Sequence, residues 1–152
     1  MVNSMEISYK EIILKPVNSE EYKYEAYKGD EKIGNLSIYY IDHQYRKTEN
    51  KDESTINISI RFSKDSEISD QIQKQILIAY LDTLFNRGDY KLIYAQTTSF
   101  DKDYVKTLKD LGYRVVNRYY DEVEIQGSTY DNMTLKLIPD NYKRAKKQFE
   151  EI

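Results

Sequence analysis

The chain has 152 residues, no cysteine, one histidine, and 32% charged residues that nearly cancel to a formal net charge of −3. That length supports one domain with a single substantial core. The composition excludes disulfides, thiolate chemistry and zinc–thiolate sites, and gives neither nucleic acid nor an anionic membrane an electrostatic reason to bind.

The opening residues Met1 to Asn3 read as loose, with no apolar core of signal-peptide type nearby. No later run approaches a membrane span, and with the missing cysteines this fits a reducing cytoplasm. Ile7 to Val17 reads as a strand that Pro16 ends. Glu21 to Lys28 alternates Tyr22, Tyr24 and Ala26 with charged residues, Gly29-Asp30 supplies a hairpin turn, and Lys32 to Ile41 is the returning strand. A polar loop, Asp42 to Glu53, leads into Ser54 to Phe62, where Ile56, Ile58 and Ile60 alternate with polar residues. The sixteen tyrosines, with no tryptophan beside them, read first as strand formers and only then as chemistry.

Ile68 to Phe85 changes period. Ile68, Ile72, Ile76, Ala79 and Thr83 form one stripe with Leu77, Leu81 and Leu84 beside it, a helix burying a wide face. Arg87 suits its last turn, and Gly88 behind it suits a left-handed C-terminal residue. Lys91 to Ser99 returns as a strand. Asp101 to Leu111 is a second, shorter helix carrying Tyr104, Val105, Leu108 and Leu111 inward and closing on Gly112. Strand, helix, strand implies a crossover unit with two parallel strands, right-handed by default. A hairpin follows, with its turn at Gln126-Gly127-Ser128 and a last strand from Asn132 to Ile138.

After Pro139, Asp140 caps a helix with Tyr142, Ala145, Phe149 and Ile152 at helical spacing and Lys143, Arg144, Lys146 and Lys147 opposite. This reads as a terminal helix docked on the sheet or as a dimer or partner contact. The expected organisation is one domain over residues 1–139 and an amphipathic helix over 140–152 packed on it. The fold class is α+β (mixed α/β): a twisted mixed sheet of about six or seven strands, two main helices and a short C-terminal helix.

The order strand, long helix, strand, helix ending in Leu111-Gly112-Tyr113, then hairpin resembles the core of the GNAT (Gcn5-related N-acetyltransferase) superfamily. The segment Thr107 to Tyr113 looks like that family's leucine–tyrosine–x–x–leucine–glycine–phenylalanine stretch. The resemblance implies an acetyl-CoA-dependent N-acetyltransferase acting on an amine of a small molecule or a protein, with a homodimer as a possible assembly. It implies that acetyl-CoA enters where the central strand splays from the next one. The pantetheine arm would lie on backbone groups of Ile58 and Ile60, with Phe62 at the strand's end, and Ser66 and Ser69 would face the pyrophosphate.

Several positions depart from the pattern. The family's phosphate loop carries glycines, whereas Phe62 to Asp70 has none and carries Asp65, Glu67 and Asp70. Carboxylates suit the first turn of a helix and oppose a pyrophosphate: like charges ~4 Å apart repel by roughly 4 kcal/mol at an effective dielectric of about 20. The position of the family's proton-donating tyrosine holds Leu108, with Tyr104 one turn earlier on the same face. For a general base, His43 and Glu53, with Asp42, lie in the loop before the central strand. Asn57 and Ser59 read as polar sheet surface. The family's two helices between its first strands are replaced by about four residues, Asn18 to Glu21, which implies an open acceptor side. The competing reading is a non-catalytic descendant of the fold that serves as a protein-binding or inhibitory module.

Overall fold

A computed structural model describes residues 5–18, 20–51, 55–64, 68–88 and 90–151. The strands are β1 (Ile7–Tyr9), β2 (Ile12–Pro16), β3 (Tyr24–Lys28), β4 (Glu31–Ile41), β5 (Lys47–Thr48), β6 (Thr55–Phe62), β7 (Leu92–Thr98), β8 (Arg114–Ile125) and β9 (Ser128–Leu137). The helices are α1 (Asp70–Arg87), α2 (Lys102–Asp110) and α3 (Pro139–Glu150). One sheet holds all these strands in the order β1-β2-β3-β4-β6-β7-β9-β8, with the two-residue β5 on β4. Only β6 and β7 pair in parallel, joined through α1 as the alternating pattern predicts. The expected mixed α+β architecture is present with more strands than the pattern counts. Ile7 to Val17 divides because Lys10 turns the chain at a φ of 50°, and β5 forms inside the polar loop.

Register sorts the side chains into two faces. Tyr24, Leu36, Ile38, Ile58, Ala95 and Leu135 share one face through the pairs of β3, β4, β6, β7 and β9. Ser37, Tyr39, Asn57, Ser59, Tyr94 and Gln96 share the other. The three helices all pack on the apolar face. On α1, every residue from Ile76 to Leu81 is buried, so Ile78 and Tyr80 extend the wide face its period announces. Tyr80 meets Tyr24 of the sheet edge to face and donates to the Tyr22 carbonyl at 2.6 Å. On one side α2 is tied to α1 by Thr107 Oγ1 donating to Gln73 Oε1 at 3.1 Å and by Lys74 pairing with Asp110 at 3.0 Å. On the other, Tyr142 of α3 donates to Asp82 Oδ1 at 2.6 Å and Lys146 pairs with Asp82 Oδ2 at 2.7 Å.

Two helix ends differ from expectation. Gly88 caps α1 at φ −86°, in right-handed space, not the left-handed conformation. Glycine is needed there because a Cβ would fall 2.3 Å from the Tyr90 ring and 2.8 Å from the Leu84 carbonyl oxygen. At the start of α3, Ile138 stands at the N-cap and Pro139 opens the first turn, so Asp140 faces the helix dipole from inside that turn without capping it. Gly112 behaves as the period suggests: φ is +104°, and the Asn141 carbonyl oxygen lies 2.8 Å from where a Cβ would stand, so α3 closes tightly on the end of α2.

Candidate functional site

The parallel ladder between β6 and β7 is short. It runs from Thr55 opposite Leu92 to Ile58 opposite Ala95, and then the strands part. Beyond that point Ser59 to Phe62 still pair with Ser37 to Gly34 of β4, and Gln96 to Thr98 still pair with Thr134 to Asn132 of β9. Each strand is held from outside while the edges facing each other separate. The result is a V-shaped opening whose arms carry unpaired backbone groups, next to the first turns of α1 and α2.

The residues expected at this opening divide into those it gathers and those it does not. Ile58 is the last paired residue and is buried, Ile60 is partly buried one step into the gap, and Phe62 ends the strand. Phe62 reaches the helix that follows the opposite arm: its ring meets Tyr104 of α2 edge to face, with centroids 5.9 Å apart. Burial, with the Asp101 carboxylate adding to it, pushes the Tyr104 phenol well above its ordinary range, so it stays protonated at neutral pH. Ser69 is the N-cap of α1, its hydroxyl oxygen accepting from the Ile72 N–H at 3.2 Å. Ser66, with Asp65 and Glu67, lies outside the described residues, as does Glu53. His43 is exposed in the turn Asp42–Arg46, which Asp42 Oδ1 holds by accepting from the Gln44 and Arg46 N–H groups. Leu108, at the family's tyrosine position, is fully buried in the core.

Asn57 corrects the sequence reading. It is not sheet surface but 2% exposed, set in the register between Tyr39 and Tyr94, with the Tyr45 ring laid against Tyr94 at 5.2 Å. The turn around Tyr45 folds over this face and is pinned there by Gln96 Nε2 donating to the Tyr45 carbonyl at 3.0 Å. Asn57 Nδ2 donates to the Ile58 carbonyl at 2.8 Å, at the residue where the ladder stops. Its own Oδ1 is buried without a protein partner. The signal in the sequence was present: an asparagine between two isoleucines of a central strand is costly unless its amide has work there.

On the face opposite the helices, no helix covers Ser37, Tyr39, Ser59 or Gln96 among the described residues. The chain between β2 and β3 is too short for one.

No protein-family model and no curated protein matches the sequence. Solved structures do match in three dimensions. The N-terminal domain of a ribosomal-protein-alanine acetyltransferase from Clostridium acetobutylicum superposes with a TM-score of 0.65 at 18% identity, covering 91% of this chain and 99% of that one. A GNAT-family acetyltransferase from Bacillus anthracis gives 0.69 at 8% identity, with 90% and 99% covered. Mycobacterium smegmatis RimJ, solved in complex with CoA-disulfide, gives 0.62 at 15% identity, with 83% and 59% covered.

Proposed function

Taking as premise that this chain has the GNAT superfamily fold, we propose that it transfers an acetyl group from acetyl-CoA to an amine by direct attack within the β6–β7 opening. The observation that carries this reading is the early end of the parallel ladder at Ile58 and Ala95, which leaves the inner edge of Ser59 to Phe62 free for the amide groups of a pantetheine arm. Ile58, Ile60 and Phe62 line that arm, and the capped start of α1 at Ser69 lies toward its phosphates.

The acceptor is an amine on a small molecule or a protein, and it approaches from the face without helices. Its neutral nitrogen attacks the thioester carbonyl carbon, a C–N bond forms, and the C–S bond breaks. Tyr104, which burial keeps protonated at some cost to its acidity, gives the departing sulfur its proton. The nitrogen proton passes to water, which the helix-free face admits, and a proton from water restores the Tyr104 phenol. The test is thermal unfolding with acetyl-CoA at about 100 times its dissociation constant, where linkage gives roughly 2.7 kcal/mol. For a chain this size the rise is about 5–11 °C, and no rise in the folded protein ends the reading.

A second reading has its own observation. The Phe62–Tyr104 contact ties the end of β6 to α2 beside the opening, and Leu108 is buried where the family's tyrosine stands. A cleft closed in this way belongs to a binding module that keeps the fold without the reaction. That module would give no thermal shift with acetyl-CoA and no shift with CoA.

A further inference from the structure

The amide of Asn57 is half used. Its Nδ2 donates to the Ile58 carbonyl at 2.8 Å, while its Oδ1 is buried and accepts nothing. Donors stand close by: the register sets Asn57 between Tyr39 and Tyr94, with Ser59 next along the same face of β6. None of them bonds it. A leucine fills about the same volume without leaving an acceptor unpaired, so packing does not explain the orphan oxygen.

The orphan lies beside the β6–β7 opening. Asn57 comes one residue before the ladder stops, and the register puts its side chain on the helix-free face, from which the acceptor approaches. The next step along that face is open, since Ser59 on β6 and Gln96 on β7 are both exposed. Tyr45 reaches the same face from the turn Asp42–Arg46. That turn is held by the Tyr45–Tyr94 ring contact at 5.2 Å and by the Gln96 bond to the Tyr45 carbonyl at 3.0 Å. A shift of this turn, whose Tyr45 stands at a φ of 64°, is what admits a ligand to Oδ1.

We propose that Asn57 Oδ1 accepts an N–H of the attacking amine and thereby selects primary amines, an inference that rests on the acetyl-transfer reading. With Nδ2 engaged, the free atom is an acceptor only, so its ligand must bring a proton. A primary amine has two N–H groups. Asn57 holds one while the nitrogen lone pair faces the thioester carbonyl carbon. As the C–N bond forms and the C–S bond breaks, the other proton passes to water and Tyr104 protonates the sulfur. The held N–H stays through to the amide product, and its bond strengthens as the nitrogen gains positive charge. A secondary amine must give up its one N–H to become an amide, which leaves Oδ1 unpaired again.

The test is thiol release from acetyl-CoA with butylamine, benzylamine and trialanine, each beside its N-methyl derivative. The expected kcat/KM favours the primary amine, and Asn57→Leu cuts that preference about tenfold or more while KM for acetyl-CoA stays unchanged. Steric effects of the methyl group act in both proteins and cancel in the ratio. A second arm needs no turnover. With CoA present, calorimetry compares N-butylacetamide, which keeps an N–H, with N-butyl-N-methylacetamide, which has none. The parent should bind the first about fivefold more tightly, and Asn57→Leu should bind both alike. Should circular dichroism show Asn57→Leu unfolded, Asn57→Ser, whose hydroxyl ends one bond short, takes its place. A parent without the preference, or a folded variant that keeps it, overturns the inference and leaves acetyl transfer standing; a water bound to Oδ1 gives that result. Thiol release from none of the primary amines ends the acetyl-transfer reading and this inference with it.

Discussion

Phe62 at the end of β6 and Tyr104 in the first turn of α2 stand edge to face with ring centroids 5.9 Å apart, linking β6 to the helix that follows β7 beyond the point where the ladder between those strands ends. Packing and chemistry can be separated at this pair. Tyr104→Phe keeps the ring and removes the proton. On the acetyl-transfer reading it lowers kcat about 100-fold with KM unchanged, measured by thiol release against an amine panel. Phe62→Ala removes the contact and costs about 2–4 kcal/mol by urea unfolding. A Tyr104→Phe enzyme as active as the parent would remove the phenol from the reaction.

Asn57 predicts a loss that its exposed neighbour Ser59 does not. Asn57→Ala leaves the Ile58 carbonyl without the 2.8 Å bond it receives and opens a buried gap beside Tyr94. The expected cost is about 1–3 kcal/mol, read as a shift in urea midpoint at constant slope. Ser59→Ala should stay within about 0.5 kcal/mol. Equal losses at both positions would mean that the amide does nothing special where the ladder ends.

Gly88→Ala tests close approach without backbone strain. Its φ of −86° suits any residue, yet the new methyl falls 2.3 Å from the Tyr90 ring. Tyr90 cannot retreat easily, since its hydroxyl bonds Tyr40 at 3.0 Å and its ring meets Tyr22. Destabilisation of roughly 1–3 kcal/mol is expected, with part of it recovered when Tyr90→Leu is added to the same chain. Gly29→Ala is the contrast: φ is +62° with nothing within 4 Å, so only the conformational cost of about 1 kcal/mol applies.

The link between α1 and α2 carries a pH signature. Asp110 is partly desolvated, which alone would raise its pKa, but hydrogen bonds and attraction from Lys106 and Lys74 outweigh this and hold the carboxyl below its ordinary value of 3.8. A depressed folded pKa contributes stability that is present above the unfolded value and lost as pH falls through the folded one. Asp110→Asn should therefore be less stable than the parent at neutral pH, and the difference should vanish in acid below the carboxylate range. The side chain is 37% exposed, so screening keeps the effect within about 1 kcal/mol. A gap that persists or widens in acid would rule out the ion pair as its source.

The strand–helix–strand order was readable because period carries it: Ile56, Ile58 and Ile60 alternate, and Ile72, Ile76 and Ala79 step by three or four. What period cannot carry is who stands next to whom. Asn57 looked like surface because burial of the second face depends on Tyr45, which folds back over Tyr94 from another part of the chain. Gly88 looked like a left-handed cap because that is the commoner use of glycine, while the real constraint comes from Tyr90 two residues on. Tyr104 was found by helical spacing, but its partner Phe62 lies 42 positions earlier in sequence, a pairing only the fold makes. A docked terminal helix was legible from its period, but not that Asp82 of α1 would receive its Tyr142 and Lys146.

Where β6 leaves β7, the sheet acquires an edge in its own interior. Unpaired strand edges are templates for foreign strands, and proteins keep them short, charged or covered. Here Asn57 occupies the Ile58 carbonyl and the Phe62–Tyr104 rings lie over the gap from the helix side. An incoming strand would have to pass these two groups to pair with the free edge. Phe62→Ala, which removes the ring pair, is therefore expected to expose more of that edge and to self-associate more readily.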